Sequence, residues 1–576
     1  MSSRVNRNKR ITLALALASW CGVPAQVVTP VSSADASCGA CHAELLHSYL
    51  STPMANASGL AAERRKTGTF EHKASGMRYA LSLQGPNLML TYRDANDPWI
   101  AASHQLDFLG SGHLGLTYLY ALNDYLFESP IAYYSASQSL DLKPGLESMT
   151  QAPPGLPVQA ECLRCHMSAV QHSDPGTINR YRGLPFLHAG ITCESCHGDT
   201  QPHLATGGKA AVVNPSKLNA NLRDSICISC HLEGDIPVER AGHSALDFKP
   251  GDSISDYVAY FVYGGQAATK RGVSEVEQLN LSKCKRTSGD AMSCMSCHDP
   301  HDTPEGAKEK AVFYRKKCLT CHTGNTFATA HHPENPDCVS CHMPRRGAEN
   351  IAHVAWTDHR ILEYPEAPDA VAKPSPGDTL VAVFSPGAAE RDIALALYKS
   401  LLEGNVAVQQ KAFERLEALK PELSRDDDAL VALGILSEER GDLKQAQDLF
   451  QDVLKRDPLN LIALSNLGTL LAKSGDLQAA ISLWRPAFER NEDVVGLAKN
   501  LARVECAAGD TAAARATLQK TLQYSPGIRD VRQLMTQLQD CSPKKSQTAE
   551  VSNVQTEWWW VAQVTRLTFV RAILIF

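Results

Sequence analysis

Apolar and polar positions alternate at period two along Met77-Arg78-Tyr79-Ala80-Leu81-Ser82-Leu83, break at Gly85-Pro86-Asn87 and resume from Leu88 to Tyr92, which predicts a β-hairpin. A glycine-punctuated stretch, Leu109-Gly110-Ser111-Gly112-His113, and an aromatic-rich run to Tyr134 follow. From 162 to 342 neither period persists, so short helices and loops with little regular sheet are expected there. The segment 364–388, with Pro365, Pro368, Pro374, Pro376 and Pro386, reads as an extended linker. Beyond it apolar residues recur at helical spacing, and the pattern repeats every 34 residues. Gly441-Asp442, Gly475-Asp476 and Gly509-Asp510 share one phase, as do Leu433/Leu467/Leu501 and Ala446/Ala480/Ala514, and Pro458 and Pro526 fall in phase. The stretch 390–424, with Ala412 in phase, is a degenerate first copy. The expected fold is mostly α with irregular loops and a small β-hairpin region, followed by an α-solenoid.

Both ends differ from the body. Arg4, Arg7, Lys9 and Arg10 precede an apolar run from Ile11 to Ser19, and Val23-Pro24-Ala25 forms a small-residue cleavage site, the plan of a secretory signal. Trp20 stands directly before Cys21, which favours cleavage after Ala25 over lipid attachment at Cys21. At the other end, Trp558-Trp559-Trp560 to Ile573-Leu574-Ile575-Phe576 is apolar but carries Arg566 and Arg571 and is short for a membrane span. An interfacial helix with peripheral membrane contact, a capping helix and an extraneous tail all fit it.

The 18 cysteines carry the chemistry. Fourteen of them stand in seven Cys-x-x-Cys pairs, each followed at once by His: Cys38/Cys41/His42, Cys162/Cys165/His166, Cys193/Cys196/His197, Cys227/Cys230/His231, Cys294/Cys297/His298, Cys318/Cys321/His322 and Cys338/Cys341/His342. On one helical turn positions i, i+3 and i+4 share a face, so two sulfurs and an imidazole meet one macrocycle. Zinc uses Cys-x-x-Cys too, but does not require a His directly after the second Cys. Each copy therefore reads as a covalent c-type haem site, with the cysteines as thioether positions and the histidine as proximal iron ligand. Seven haems are expected, and no nicotinamide, flavin or zinc. Such haem is attached outside the cytoplasm, which agrees with the leader and implies a periplasmic or extracellular protein. Cys284, Cys506 and Cys541 form no obvious framework.

The region from 38 to 342 offers roughly 44 residues per haem, near the size below which a chain rarely builds its own core, so the haems are expected to serve as that core. The formal charge of -6, made more negative by haem propionates, argues against nucleic acid as a partner.

The 34-residue period resembles the tetratricopeptide repeat, a helix-turn-helix unit whose solenoids present a groove to protein partners; a plain helical bundle does not explain the phase agreement. The stretch His188 to Gly198, with His203 shortly after, resembles multihaem cytochromes of the cytochrome c-552/4 group. Cys294 to His301 looks like the doubled motif of that class. Cys338 to Pro344, with His353 and Asp358-His359-Arg360, is similar to its last haem and to those of the pentahaem nitrite reductases and hydroxylamine oxidoreductases. No motif ending in Lys, the catalytic attachment of those nitrite reductases, occurs here. Similar proteins often carry His just before Val276-Glu277-Gln278-Leu279, where this chain has Ser274-Glu275.

The resemblance implies distal iron ligands. His203 and His301 lead; His301, three residues after His298, is expected to cross to a neighbouring haem. His188, His332, His353 and His359 follow. His72, with His47 and His113, belongs to the hairpin region or the isolated first motif, as ligand or as ordinary core or surface residue. Met54 stands where relatives often have His and is the candidate for His/Met ligation of the first haem, or packs as an ordinary Met.

The chain divides into a signal peptide (1–25), a first-haem region with the hairpin (26–161), a six-haem region (162–363), the linker (364–388), the repeats (389–541), and a polar linker with the apolar tail (542–576). Three functions suit it: a relay of single electrons whose repeats dock a redox protein, a reductase or oxidase of a small nitrogen or sulfur compound at one open iron, and a scaffold whose haems mainly hold the fold.

Overall fold

The computed structural model describes residues 33–111, 115–153, 155–264, 272–323, 337–347, 355–363, 379–384, 388–538 and 541. The leader, most of the linker, His113, His331, His332, His353 and the tail 542–576 lie outside the described residues.

The alternating stretch forms the expected hairpin. Met77–Gln84 pairs with Asn87–Asp94, Gln84 faces Asn87, and Gly85 and Pro86 close a two-residue turn. Gly85 takes φ +61°, the sign that the first position of such a turn demands, and Pro86 takes the second. The hairpin is the centre of a four-stranded antiparallel sheet completed by Gly68–His72 and Ala101–Leu106.

A second, seven-stranded sheet corrects the expectation of a mostly α chain with only a small hairpin. Its order is Gly59–Leu60, Phe108–Ser111, Gly115–Leu122, Tyr125–Glu128, Leu156–Pro157, with Ile131–Tyr134 and Ser139–Leu142 added as a hairpin on Gly115–Leu122. Met77, Tyr79, Leu81, Leu88 and Leu90 of the first sheet share one core with Leu116, Tyr118, Tyr120 and Phe127 of the second. The first six positions of Gly115–Leu122 and all four of Tyr125–Glu128 are buried, so both faces are covered and no period-two signal reaches the sequence.

The motif-rich region also holds small sheets: Met167–Val170 with Phe186–Ala189, Arg345–Gly347 with Ala355–Thr357, and Ile236–Glu239 with Val258–Tyr263 and Leu380–Ala382. The last strand falls inside the segment read as linker. Strands of three or four residues carry too little pattern to declare themselves, and the six of Val258–Tyr263 are almost all buried and show no alternation.

From Glu390 the chain is helical. Glu390–Leu402, Gln409–Leu419, Asp427–Glu439, Leu443–Arg456, Leu461–Ser474, Leu477–Arg490, Val495–Ala507, Thr511–Tyr524 and Arg529–Gln537 stack in order. The recurrent Gly-Asp pair has two jobs. Gly441, Gly475 and Gly509 leave the first helix of each pair at φ +85° to +89°, and Asp442, Asp476 and Asp510 cap the second by accepting from Gln445, Ala479 and Ala513 amides. Gly434 has no room for a side chain, since a Cβ there would stand 2.6 Å from Phe450 Cε1; at the same phase, Gly468 abuts the Trp484 indole. A disulfide joins Cys506 to Cys541 and ties the end of the last repeat to Val495–Ala507, a pairing the spacing did not reveal.

The solenoid shares cores with the rest of the chain. Ile236, Val238 and Phe261 pack with Ala394, Leu397 and Leu401, and Arg240 pairs with the buried Asp392. Tyr524 sits in the two-sheet core, edge-on to Tyr125 at 5.1 Å, and Tyr125 Oη donates to Arg490 O at 2.7 Å.

Candidate haem-binding cavity

One continuous cavity of about 2960 Å³ runs through the motif region, well beyond the ~300–1,000 Å³ of a single small-ligand pocket. All seven motifs reach it. The first, third, fourth, fifth and sixth contribute both cysteines and the histidine; the seventh contributes Cys338 and His342; the second contributes only Cys165.

Three attachment residues, Cys162, His166 and Cys341, lie outside its lining. Cys341 of the seventh motif does not line the cavity; it is half-buried, with its Sγ 3.9 Å from Ser340 Oγ. Its turn is pinned at His342, whose carbonyl accepts from Leu362 N at 2.8 Å and whose Nδ1 meets Leu362 O, and this clamp sets which side of the turn faces inward. In the second motif Cys162 packs against the apolar cluster of Leu163, Met167 and Phe186, and His166 is buried.

Local structure presents the motifs. Cys227, Cys230 and His231 close the helix Ala220–His231, whose first turn is capped by Asn219 accepting from Leu222 N. Cys294–Cys297 is a single turn with a capping box between Ser293 and Ser296. In these two, both cysteines and the His line the cavity from one face of the turn. Cys338–His342 starts on Asp337, which accepts from Ser340 N.

Neighbouring motifs touch in an order unlike their order in the chain. Cys38 lies beside Cys193, and Tyr49 Oη donates to Ile191 O, so the first motif adjoins the third. Cys196 lies near Cys230, joining third to fourth. Cys227 lies beside Cys294, joining fourth to fifth; Cys297 lies near Cys321, joining fifth to sixth; and Cys318 lies beside Cys338, joining sixth to seventh. The second motif meets the fourth, where Cys165 lies beside Cys230 and the Arg164 guanidinium donates to Ser229 O.

Four cavity histidines are fixed in one tautomer. His197 Nδ1 stands 2.8 Å from Val213 O, His203 Nδ1 2.7 Å from Ala210 O, His342 Nδ1 2.6 Å from Leu362 O and His359 Nδ1 2.8 Å from Thr357 O. A carbonyl only accepts, so each Nδ1 carries the proton and each Nε2 keeps its lone pair for a metal.

Two imidazole pairs face each other. His197 and His301 have ring centroids 6.0 Å apart and planes 10° apart; His298 and His359 are 6.3 Å and 29° apart. Two metal–imidazole bonds of about 2.0 Å each, plus the two half-rings, put the centroids of axial ligands on one metal about 6 Å apart. Burial first, then His359, His231 and Lys317, push the His298 pKa down to about 4, so its ring is neutral at pH 7. Burial likewise lowers His301 and outweighs Asp299. Asp358 is buried beside His359; burial opposes its ionisation, but Arg360 and Arg346 outweigh that and lower its pKa. These residues fit covalently held haem: sulfurs on helical turns, imidazoles in facing pairs, and a cavity continuous among them.

Of the other histidines and the methionine expected as distal ligands, His188 and Met54 line the cavity with His203. His72 does not reach it. It lies on the outer strand Gly68–His72, with Nδ1 2.8 Å from Ser75 Oγ and Nε2 3.1 Å from Glu147 O, so both nitrogens are engaged. His332 and His353 are outside the described residues. Cys284 also lines the cavity, which its lone position in the sequence gave no means of telling.

Comparison with known proteins agrees with this geometry. Residues 133–198, spanning the second and third motifs, match the family model "Cytochrome c554 and c-prime". Residues 431–485 and 471–538 match models of the tetratricopeptide repeat. These matches support a multihaem cytochrome fused to tetratricopeptide repeats. The family match implies covalently bound haem. Over 172 residues the cytochrome is 24% identical to the multihaem cytochrome MtrA of Shewanella baltica, covering 28% of this chain and 51% of MtrA, so it spans about half the length of that relative. Among solved structures, MamA AMB-1 is similar over 26% of this chain and 88% of its own, with 19% identity and a TM-score of 0.22. A thermophilic TPR protein of Thermus thermophilus is similar over 26% and 81%, with 21% identity and a TM-score of 0.23.

Proposed function

We propose that the protein is an exported cytochrome that binds seven c-type haems and relays single electrons, while its repeats hold a redox protein partner. The facing imidazole pairs on one shared cavity carry this reading, because an iron with two strong axial ligands exchanges electrons without binding substrate. Bound haem supplies the one-electron chemistry, and the chain supplies ligation, spacing and a low-dielectric surround. His197 and His301 hold the iron of the third motif, and His298 and His359 that of the fifth. His203, His188 and Met54 are the remaining described candidates for distal positions. Export is supported by the leader and by the Cys506–Cys541 disulfide, which suits an oxidising compartment.

The test is a pyridine haemochromogen count with spin-quantified EPR on the oxidised, haem-loaded protein. Seven haems per chain, all low-spin, are expected. A stoichiometric high-spin iron would replace the relay with the oxidoreductase reading.

A further inference from the structure

The helix Glu275–Leu281 stands where similar cytochromes often carry a histidine, and it has none. It nevertheless reaches a candidate ligand. Gln278, 1% exposed, accepts the backbone N–H of His359 on its Oε1 at 2.8 Å, and its own amide nitrogen donates to Ser274, also 1% exposed. On the other side of His359, the fully buried Asp358 accepts from Arg360 Nε and Nη2, at 3.0 and 2.6 Å, and from Arg346 Nε at 3.0 Å. The ring itself is tied through Nδ1 to Thr357 O. His359 is thus fixed at its amide, at its imidazole and through its neighbour. His301 is held more loosely, with its ring 3.7 Å from Asp299 and 39% exposed.

We propose that Gln278 and Asp358 are positioning residues for His359, which pin its imidazole opposite His298. The helix contributes the rigidity of a ligand supplied from 81 residues further along the chain. An axial ligand must stay within a few tenths of an ångström of its metal to keep a strong bond, and hydrogen bonds outside the coordination sphere commonly set metal affinity by about 10–100-fold. The inference rests on the reading that His298 and His359 share one iron.

The test uses the haem-loaded full chain with Gln278→Ala, Gln278→Glu, Asp358→Asn and His359→Ala, following haem count, EPR and carbon monoxide binding. Gln278→Ala and Asp358→Asn are expected to keep the wild-type haem count, to convert one low-spin signal partly to high-spin, and to raise carbon monoxide binding at that iron about tenfold. Added imidazole should restore the low-spin signal. Gln278→Glu, which retains an acceptor oxygen for the His359 amide, should resemble wild type. If His359→Ala opens one iron while Gln278→Ala and Asp358→Asn leave spectrum and carbon monoxide binding unchanged, the positioning role is overturned and the ligand pairing stands. If His359→Ala leaves every iron low-spin, the pairing falls, and the positioning role with it. Should Asp358→Asn lose haem through misfolding, Gln278→Ala alone decides.

Discussion

Two helices of the same length show how differently the two halves of this molecule are built. Leu443–Arg456, 14 residues in the repeats, buries Ala446, Leu449, Phe450 and Val453 against its neighbours. Gly306–Leu319, also 14 residues, leads into the sixth motif and buries none of its side chains. Its Ala307, Ala311 and Tyr314 line the cavity instead. A fully buried large apolar side chain contributes about 1.5–3 kcal/mol, so the first helix is stabilised by protein contacts and the second has hardly any. The repeats carry their core in their own sequence, whereas this helix of the motif region faces the shared cavity.

The sharpest way to break this comparison is to remove one attachment. The pair Cys294→Ser and Cys297→Ser should lower the haem count by one and open the chain between 272 and 363 to limited proteolysis, with the repeats still protected. Protease resistance throughout would show that the motif region has a sufficient core of its own. The converse is Trp484→Ala. This fully buried indole packs on Gly468 and donates to Ser465 O at 3.2 Å. Its loss should cost about 3–5 kcal/mol in urea unfolding of the repeats and leave the haem absorption spectrum unchanged. Replacing Cys506 and Cys541 by Ala opens a loop with a sequence separation of 35 and should cost about 3–4 kcal/mol of repeat stability, read from the same melts. Asp476→Ala removes one helix cap and should cost about 1 kcal/mol.

A separate effect concerns pH at the join between the halves. Burial, only partly offset by hydrogen bonds including one from Asn179, pushes the Asp493 pKa from its ordinary 3.8 up to about 7. The folded protein therefore keeps a proton there that the unfolded chain has lost. Stability should fall as pH rises from about 4 to about 7 and level off above. Asp493→Asn should flatten that slope in urea melts at about pH 5 to 8; an unchanged slope would place its origin elsewhere.

The same contrast explains what the sequence discloses. The second helix of each repeat pair has one buried stripe and one wet face, and the first is apolar nearly all round, so the 34-residue phase, the packing glycines and the Gly-Asp stop-and-cap signal all stand in the open. The haem motifs are equally plain, because attachment chemistry fixes their spacing. Spacing does not say which way each turn faces, and Cys341 is the example: its place in the motif is legible, its position outside the cavity lining is not. The seven-stranded sheet is hidden for another reason: Gly115–Leu122 is covered on both faces and shows no alternation. Pairings across long separations are hidden too. Nothing local in His301 says that it faces His197, or in Cys506 that it meets Cys541; each contact is decided by how distant segments are folded together. His72 errs the other way, a histidine of suitable type whose strand carries it to the outer side of a sheet.

Tyr524 ends a repeat helix and is also a member of the two-sheet core. The solenoid behaves as a spring clamped at that end, not as an arm on a hinge. Any load a captured protein puts on its coils is delivered to Tyr125 and Phe127 and on through the sheet, whose next strand, Leu156–Pro157, leads straight into the second motif. Mechanical strain at the periphery and the seating of that motif are thereby one problem of elasticity.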